Sequence, residues 1–424
     1  MTMRIRFKLM LLVALAVMGL ASCGHYNCSS GANFGSSSCT ASGSGLGTTG
    51  SGSTTAAFVF VADAAGNGTA GTIDGYTLNT TAETFGITPS YTAPTTPLGD
   101  GGVGMVVAQS QFLYTGFGST STIYGWTIGS DGNLTAVSGS PYSASFIGLV
   151  PSGFGAQSII TNPAGTLLFF SDFDDVYVYQ IGTGGVLTAV AGSPFPAPFG
   201  GNMATDGLGN YLYITEAIGN HTGEAIAAYT IGSTGTLAAV PGSPFAFPMW
   251  QVQGEPTGKY LIGTTGQSVA VNGTDNDLLY VFSIAQSGSS APGAITQLGS
   301  VSTDTNSPLS IAVQSNANGN LVYSFGIEDS ALAFNPVEGF AISSTGTLTA
   351  DAGSPFTNAA LGDLGALDQS GAFLFTYGGI VDPSNETVTY QMGAFDVGSG
   401  GALTQPTSTL TLTAGGFFAV TDPQ

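Results

Sequence analysis

Asp63, Asp172 and Glu216 are the acidic residues whose placement points to shared chemistry. Each stands four residues after an aliphatic residue (Val59, Leu168 and Leu212) in the same part of a repeated unit. His221, the only histidine after His25, follows Glu216 closely. Carboxylates gathered with one imidazole suit three tasks: holding a hard divalent cation such as calcium, accepting from sugar hydroxyls, or acting as a general base. The other reading is that acids at strand ends cap their own loops and stay solvated, since loops favour polar residues anyway. Matched positions in the other units are Phe117, Thr265, Gly326 and Gly378, so a shared site draws on units one, three and four.

The unit that positions these residues is read best from residues 176–181, Val-Tyr-Val-Tyr-Gln-Ile. Six further segments share its pattern of an aliphatic residue or Met first, an aromatic fourth and an aliphatic sixth. The aromatics are Tyr76, Trp126, Tyr179, Tyr229, Phe282, Phe340 and Phe395, with successive gaps of 50, 53, 50, 53, 58 and 55. Self-similarity at this period marks a propeller or a solenoid array.

Within one unit four strands are legible. Strand A spans 157–162 and leads through Asn162-Pro163-Ala164-Gly165, a hairpin turn in which Pro presets φ and Gly takes the position needing positive φ. Strand B, 167–170, is a continuous apolar run, as expected for a strand covered on both faces. Strand C is 176–181, strand D is 186–190, and Gly192-Ser193-Pro194-Phe195 closes the unit. Four short antiparallel strands per unit make a propeller blade. The expected fold is therefore all-β, a seven-bladed β-propeller of four-stranded antiparallel blades. In that architecture the B–C loops and the D–A connections share one face, around the mouth of the central channel.

The first unit begins directly at strand B, 58–62, whereas residues 416–423 after the last unit read like a strand A running into its turn. Pairing the two closes the ring and removes two exposed sheet edges. The propeller is thus expected over 57–424, closed by the C-terminal strand against the first blade.

Residues 1–23 read as a signal peptide. Arg4, Arg6 and Lys8 precede an apolar run, 9–21, too short for a membrane span. The run ends in Leu20-Ala21-Ser22-Cys23, which resembles a bacterial lipobox; the resemblance implies lipid attachment at Cys23. Residues 24–56 are dominated by Gly, Ser and Thr and read as a flexible tether with a reach of roughly 30 Å. Cys28 and Cys39 within it either close a small disulfide loop or stand as tether thiols without function. The expected location is the cell envelope, on the extracytoplasmic side, with the membrane contacted through the lipid alone.

Charge narrows the partners. Lys259 is the only Lys or Arg beyond residue 8, against 25 acidic residues. Nucleic acid needs clustered Lys and Arg, so it is excluded as a partner, and no nucleotide-binding loop is present. There is no nucleophile elbow and no zinc-ligand spacing. Asp172, Asp174 and Asp175 cluster without the spaced pattern of an EF-hand. Trp250 begins strand A of the fifth unit and faces either the channel or a neighbouring blade.

The Asn-Pro-x-Gly turn (162–165), the Leu-Tyr-Ile-Thr strand (212–215), the Tyr-x-Ile strand (229–231) and the Gly-x-Leu-Thr and Gly-Ser-Pro-Phe endings resemble the seven-bladed lactonase-like propellers. That family includes 6-phosphogluconolactonase-type and YVTN-repeat proteins. The resemblance implies lactone hydrolysis as one function. A phosphorylated lactone calls for cationic recognition, which the mature chain lacks, so 6-phosphogluconolactonase activity itself is not expected. Two readings remain: a surface binding or scaffold propeller presenting its channel face to a glycan, peptide or protein, and a hydrolase of unphosphorylated lactones. Neither requires a cofactor, although a divalent cation could join the acidic rim.

Overall fold

A computed structural model describes residues 55–63, 73–79, 84–87, 102–117, 122–143, 158–172, 174–197, 200–216, 225–265, 278–303, 308–316, 319–326, 336–356, 364–382, 387–404, 409–412 and 416–421. They form seven antiparallel sheets, each with four strands in A-B-C-D order; the sheets of blades 2, 3 and 7 carry an extra short strand. The stretch read as a signal peptide, Cys23, Cys28, Cys39 and His221 lie outside the described residues.

Each strand B is a run buried on both faces, such as Leu167–Ser171 and Tyr260–Thr264, because each blade is covered by a neighbour on either side. The hydrophobic core is accordingly divided among the seams. Phe170 and Tyr179 of blade 3 pack with Phe112 and Tyr114 of blade 2, and Phe169 and Val178 pack with Met203 and Leu212 of blade 4. In blades 2, 3, 4 and 6 the outermost strand is a three-residue piece with Thr or Ala at its exposed centre (Leu134–Ala136, Leu187–Ala189, Leu237–Ala239, Leu348–Ala350), which blunts it as a template for aggregation.

Beyond each of those outer strands the Gly-Ser-Pro-aromatic sequence turns back onto strand C. The Ser140, Ser193, Ser243 and Ser354 hydroxyls accept from the N–H groups of Gly125, Val178, Ala228 and Gly339, at 2.8–3.1 Å. Tyr142, Phe195, Phe245 and Phe356 then pair with the start of strand C. Strand D is too short to satisfy all of strand C, and the serine supplies the missing acceptor.

Closure follows the expected scheme. Strand Thr55–Asp63 of blade 1 pairs on one side with Ile73–Asn79 and on the other with the C-terminal strand Gly416–Thr421, from Phe58↔Thr421 to Asp63↔Gly416. The blade 1 strand begins at Thr55, two residues inside the stretch read as tether. Phe418 is fully buried against Tyr377 of blade 7, with ring centroids 5.9 Å apart. One feature differs from expectation. Strands B and C of blade 7 are long, Phe373–Asp382 and Thr387–Val397, and stay paired to Asp382↔Thr387. The hairpin thus extends four residue pairs past Gly378↔Gln391, a projection of about 13 Å at the usual rise per residue.

Candidate functional site

The blade alignment used to match the acids is the strand register itself. Val59, Leu113, Leu168, Leu212, Leu261, Val322 and Leu374 each pair with the aromatic of their own strand C. Four residues on, Asp63, Asp172 and Glu216 therefore stand at equivalent heights, at the ends of their B strands on the face that carries the B–C and D–A connections. The side chains of Asp63 and Glu216 lie outside the described residues.

Asp172 is fully buried. Its Oδ1 accepts from the N–H groups of Asp174 at 3.0 Å and Asp175 at 2.7 Å, while its own N–H donates to the Asp175 carbonyl. The Tyr177 hydroxyl also bonds to it. Asp172 thus folds the three-residue B–C turn of blade 3, as a loop-capping acid does. Burial, then the charges of Asp172 and Asp174, raise the Asp175 carboxyl above the ordinary aspartate range. The local potential is negative, which favours a cation or hydroxyl donors over an anion.

The inner strands of blades 3 to 6 begin at this same mouth and carry uncharged polar side chains there. Ser158, Asn202, Gln251 and Ser310 are all buried. They tie blade to blade. Ser171 Oγ donates to the Gly201 carbonyl, Asn202 Nδ2 donates to the Trp250 carbonyl at 2.9 Å, and Gln251 Oε1 accepts from Ile311 N–H at 2.9 Å. Thr215 Oγ1 joins the Trp250 node at 3.1 Å. Asn202 Oδ1 and the Trp250 indole N–H, both buried, have no partner among the described residues. The Trp250 backbone therefore joins blades 4 and 5, a role that sequence reading left open. The hydroxyl and amide girdle went unnoticed in the sequence because Ser, Thr, Asn and Gln are common throughout the chain.

The opposite face is built from A–B turns. Asn162, Asp206 and Asp368 open their turns, and the Oδ1 of each accepts backbone N–H groups of its own turn or of the strand that follows. Burial raises the Asp206 carboxyl, partly offset by those hydrogen bonds. Lys259 is exposed on this face, just after the blade 5 turn, and so stands away from the mouth that holds Asp172. Turns of successive blades touch. Gln109 Nε2 donates to the Gly165 carbonyl, Asn320 Nδ2 to Glu255, and Gln314 Nε2 to the Gln369 carbonyl. Ser110 Oγ of blade 2 donates to Gln369 Oε1 of blade 7 at 2.5 Å, bridging over blade 1, where the chain ends replace the turn.

No group of three or more potential metal-binding side chains occurs among the described residues. No helix among them is long and apolar enough to cross a membrane.

No protein-family model matches the chain. No curated protein sequence matches it. Its fold is shared with solved structures. A protein of Lactobacillus plantarum superposes with a TM-score of 0.59 at 17% identity, covering 86% of this chain and 99% of that one. A Bacteroides fragilis protein provisionally named a 6-phosphogluconolactonase gives 0.58 at 13% identity, covering 88% and 99%. The periplasmic gluconolactonase of Pseudomonas aeruginosa gives 0.56 at 12% identity, covering 87% and 99%. The chain is thus a seven-bladed propeller whose fold these proteins share. At these identities the likeness concerns fold, and function rests on the site.

Proposed function

We propose that this protein is exported and lipid-anchored through Cys23, and that its loop-bearing mouth binds a neutral, polyhydroxylated ligand such as a glycan. The observation that carries this reading is the chemistry of the mouth. In blades 3 to 6 uncharged Ser, Asn and Gln side chains underlie it, the acids Asp63, Asp172 and Glu216 stand at its rim, and the one Lys of the propeller stands on the opposite face. Hydroxyl and amide groups recognise sugar hydroxyls by multiple hydrogen bonds, whereas a phosphorylated ligand would meet only repulsion. Topology adds an orientation. Strand Thr55–Asp63 starts on the turn face, so the tether attaches there and leaves the mouth unobstructed.

The test is binding of a panel of neutral oligosaccharides, by calorimetry, to the intact propeller and to Asp63→Asn/Glu216→Gln. That pair leaves the Asp172 turn intact. Since hydrogen bonds to charged groups are worth about 1.5–3 kcal/mol, the double variant is expected to bind at least about tenfold more weakly. Unchanged affinity in the variant, or no binding by the intact protein, removes the rim from the account. Calcium belongs to the same proposal: if the rim holds it, millimolar calcium raises Tm in the intact protein and not in the variant.

A second reading, hydrolysis of an unphosphorylated lactone, is favoured by the structural likeness to the Pseudomonas aeruginosa gluconolactonase. Turnover of a neutral lactone that disappears with the same double variant selects it. Anchoring is checked independently by fatty-acid labelling, which Cys23→Ala is expected to abolish.

A further inference from the structure

The seams between blades are docked by C–D turns. A glycine with positive φ in each turn presses its backbone against the preceding blade: Gly235 of blade 4 at φ 90°, Gly293 of blade 5 at 87° and Gly401 of blade 7 at 78°. At these three seams the residue just after strand D of the preceding blade receives it. A Cβ built on Gly235 would lie 3.0 Å from Val190 Cγ2, and one on Gly293 would lie 2.9 Å from Val240 Cγ2. At the third seam, between blades 6 and 7, a Cβ on Gly401 would lie 2.2 Å from Asp351 Oδ2. The carboxylate therefore occupies the place where the other two seams hold a valine methyl.

The backbone of that place is the same in each blade. The N–H groups of Val190, Val240 and Asp351 donate to strand C carbonyls of their own blades (Val178, Ala228 and Gly339) at 2.9 Å. Asp351 is only 7% exposed, and its Oδ2 has no hydrogen-bond partner among the described residues. The tyrosine hydroxyls of blades 4 and 6 donate to the docked turns, Tyr213 to the Gly293 carbonyl and Tyr323 to the Gly401 carbonyl. The two seams thus differ by one buried carboxyl in place of a valine side chain.

We propose that Asp351 makes the seam between blades 6 and 7 an acid-closed latch: the neutral acid packs under the Gly401 turn as valine does elsewhere, and the ionised form loosens that turn. An ionised carboxylate with one oxygen buried and unpartnered is costly. Tyr323 is the titratable group facing Asp351, and its phenol is raised by burial and then by Asp351. Leu321, Gly339 and Gly401 complete the contacts without charge. Burial pushes the Asp351 carboxyl up from 3.8 to about 6. The sign follows: the folded state holds this proton more tightly than the unfolded chain. The group's stabilising contribution is full below pH 3.8 and is lost as pH rises through about 6.

The test compares the intact propeller with Asp351→Val and Asp351→Asn from pH 4 to pH 8. At pH 8 both variants are expected to melt on the order of a few °C above the wild type, and at pH 4 the three are expected to converge. Amides of residues 399–403 should gain hydrogen-exchange protection on acidification in the wild type and stay constant in Asp351→Asn, a readout that a merely structural role would not move. Equal pH slopes in all three proteins, or an Asp351→Asn variant that melts lower than the wild type at pH 8, would overturn the latch. Should Asp351→Val fail to fold, Asp351→Asn carries the test alone.

Discussion

The two faces of the propeller are built on different principles. On the turn face Asn162, Asp206 and Asp368 open tight A–B hairpins and cap their own backbone. The turns then bond to one another around the ring. On the mouth face the B–C connections vary in length, from residues 172–174 in blade 3 to residues 265–277 in blade 5, and blade 7 raises a long hairpin. Short self-capped turns have one low-energy geometry, so they hold the ring in register. Connections of unequal length cannot repeat, and variable chemistry belongs there. Regularity is concentrated on the turn face, and the mouth face has room for a ligand.

The largest effect expected from breaking the ring is removal of the strand that joins its ends. Deleting residues 416–424 strips Phe418, Ala419 and Val420 from the core and leaves Thr55–Asp63 as an open edge. Losing a core phenylalanine alone costs about 3–5 kcal/mol, so a total above about 5 kcal/mol is expected in urea unfolding. A truncated chain that unfolds at the same urea concentration would show that the ring does not depend on closure.

A smaller effect probes the turn face alone. Gly165 sits at φ 63°, and a Cβ there would lie 2.8 Å from the Gln109 backbone nitrogen. Left-handed backbone costs a residue with a side chain about 1–2 kcal/mol, so Gly165→Ala should lose roughly that much or more. Gly299→Ala, on an outer strand with open space around it, should stay within about 0.5 kcal/mol. Equal losses at both sites would mean that the turn contacts do not set the register. Neither change should alter ligand affinity if the mouth acts independently of the turn face.

The acid-sensitive seam and the neutral-ligand mouth set this comparison in functional terms. Asp351 lies in a seam, at a position that two other blades fill with valine. Asp172 lies on the variable face, where departure is the rule.

Much of the fold was legible because a repeat shows the same physics seven times. The aromatic of strand C, the apolar run of strand B and the turn at 162–165 recur at fixed offsets, and the missing first strand matched the surplus last one. The equivalence of Asp63, Asp172 and Glu216 was legible for the same reason, since register follows the aromatic pairing. The long blade 7 hairpin was not, because residues 379–391 carry no signal separating a paired strand from a loop. Nor was the place of Asp351. In sequence it is one acid after Leu-Thr-Ala, and only the docked Gly401 turn from the next blade turns it into a buried, unpartnered carboxyl.

Local chemistry, then, determined the blades: hydrophobic periodicity, turn residues and strand length act over a few residues and are written in their order. The tertiary structure decided which polar groups meet across blades, among them Asn202 with Trp250, Ser110 with Gln369 and Asp351 with Gly401. Those pairs are separated by about fifty residues or far more along the chain, and their energies depend on burial and on distance, which exist only once the ring has closed.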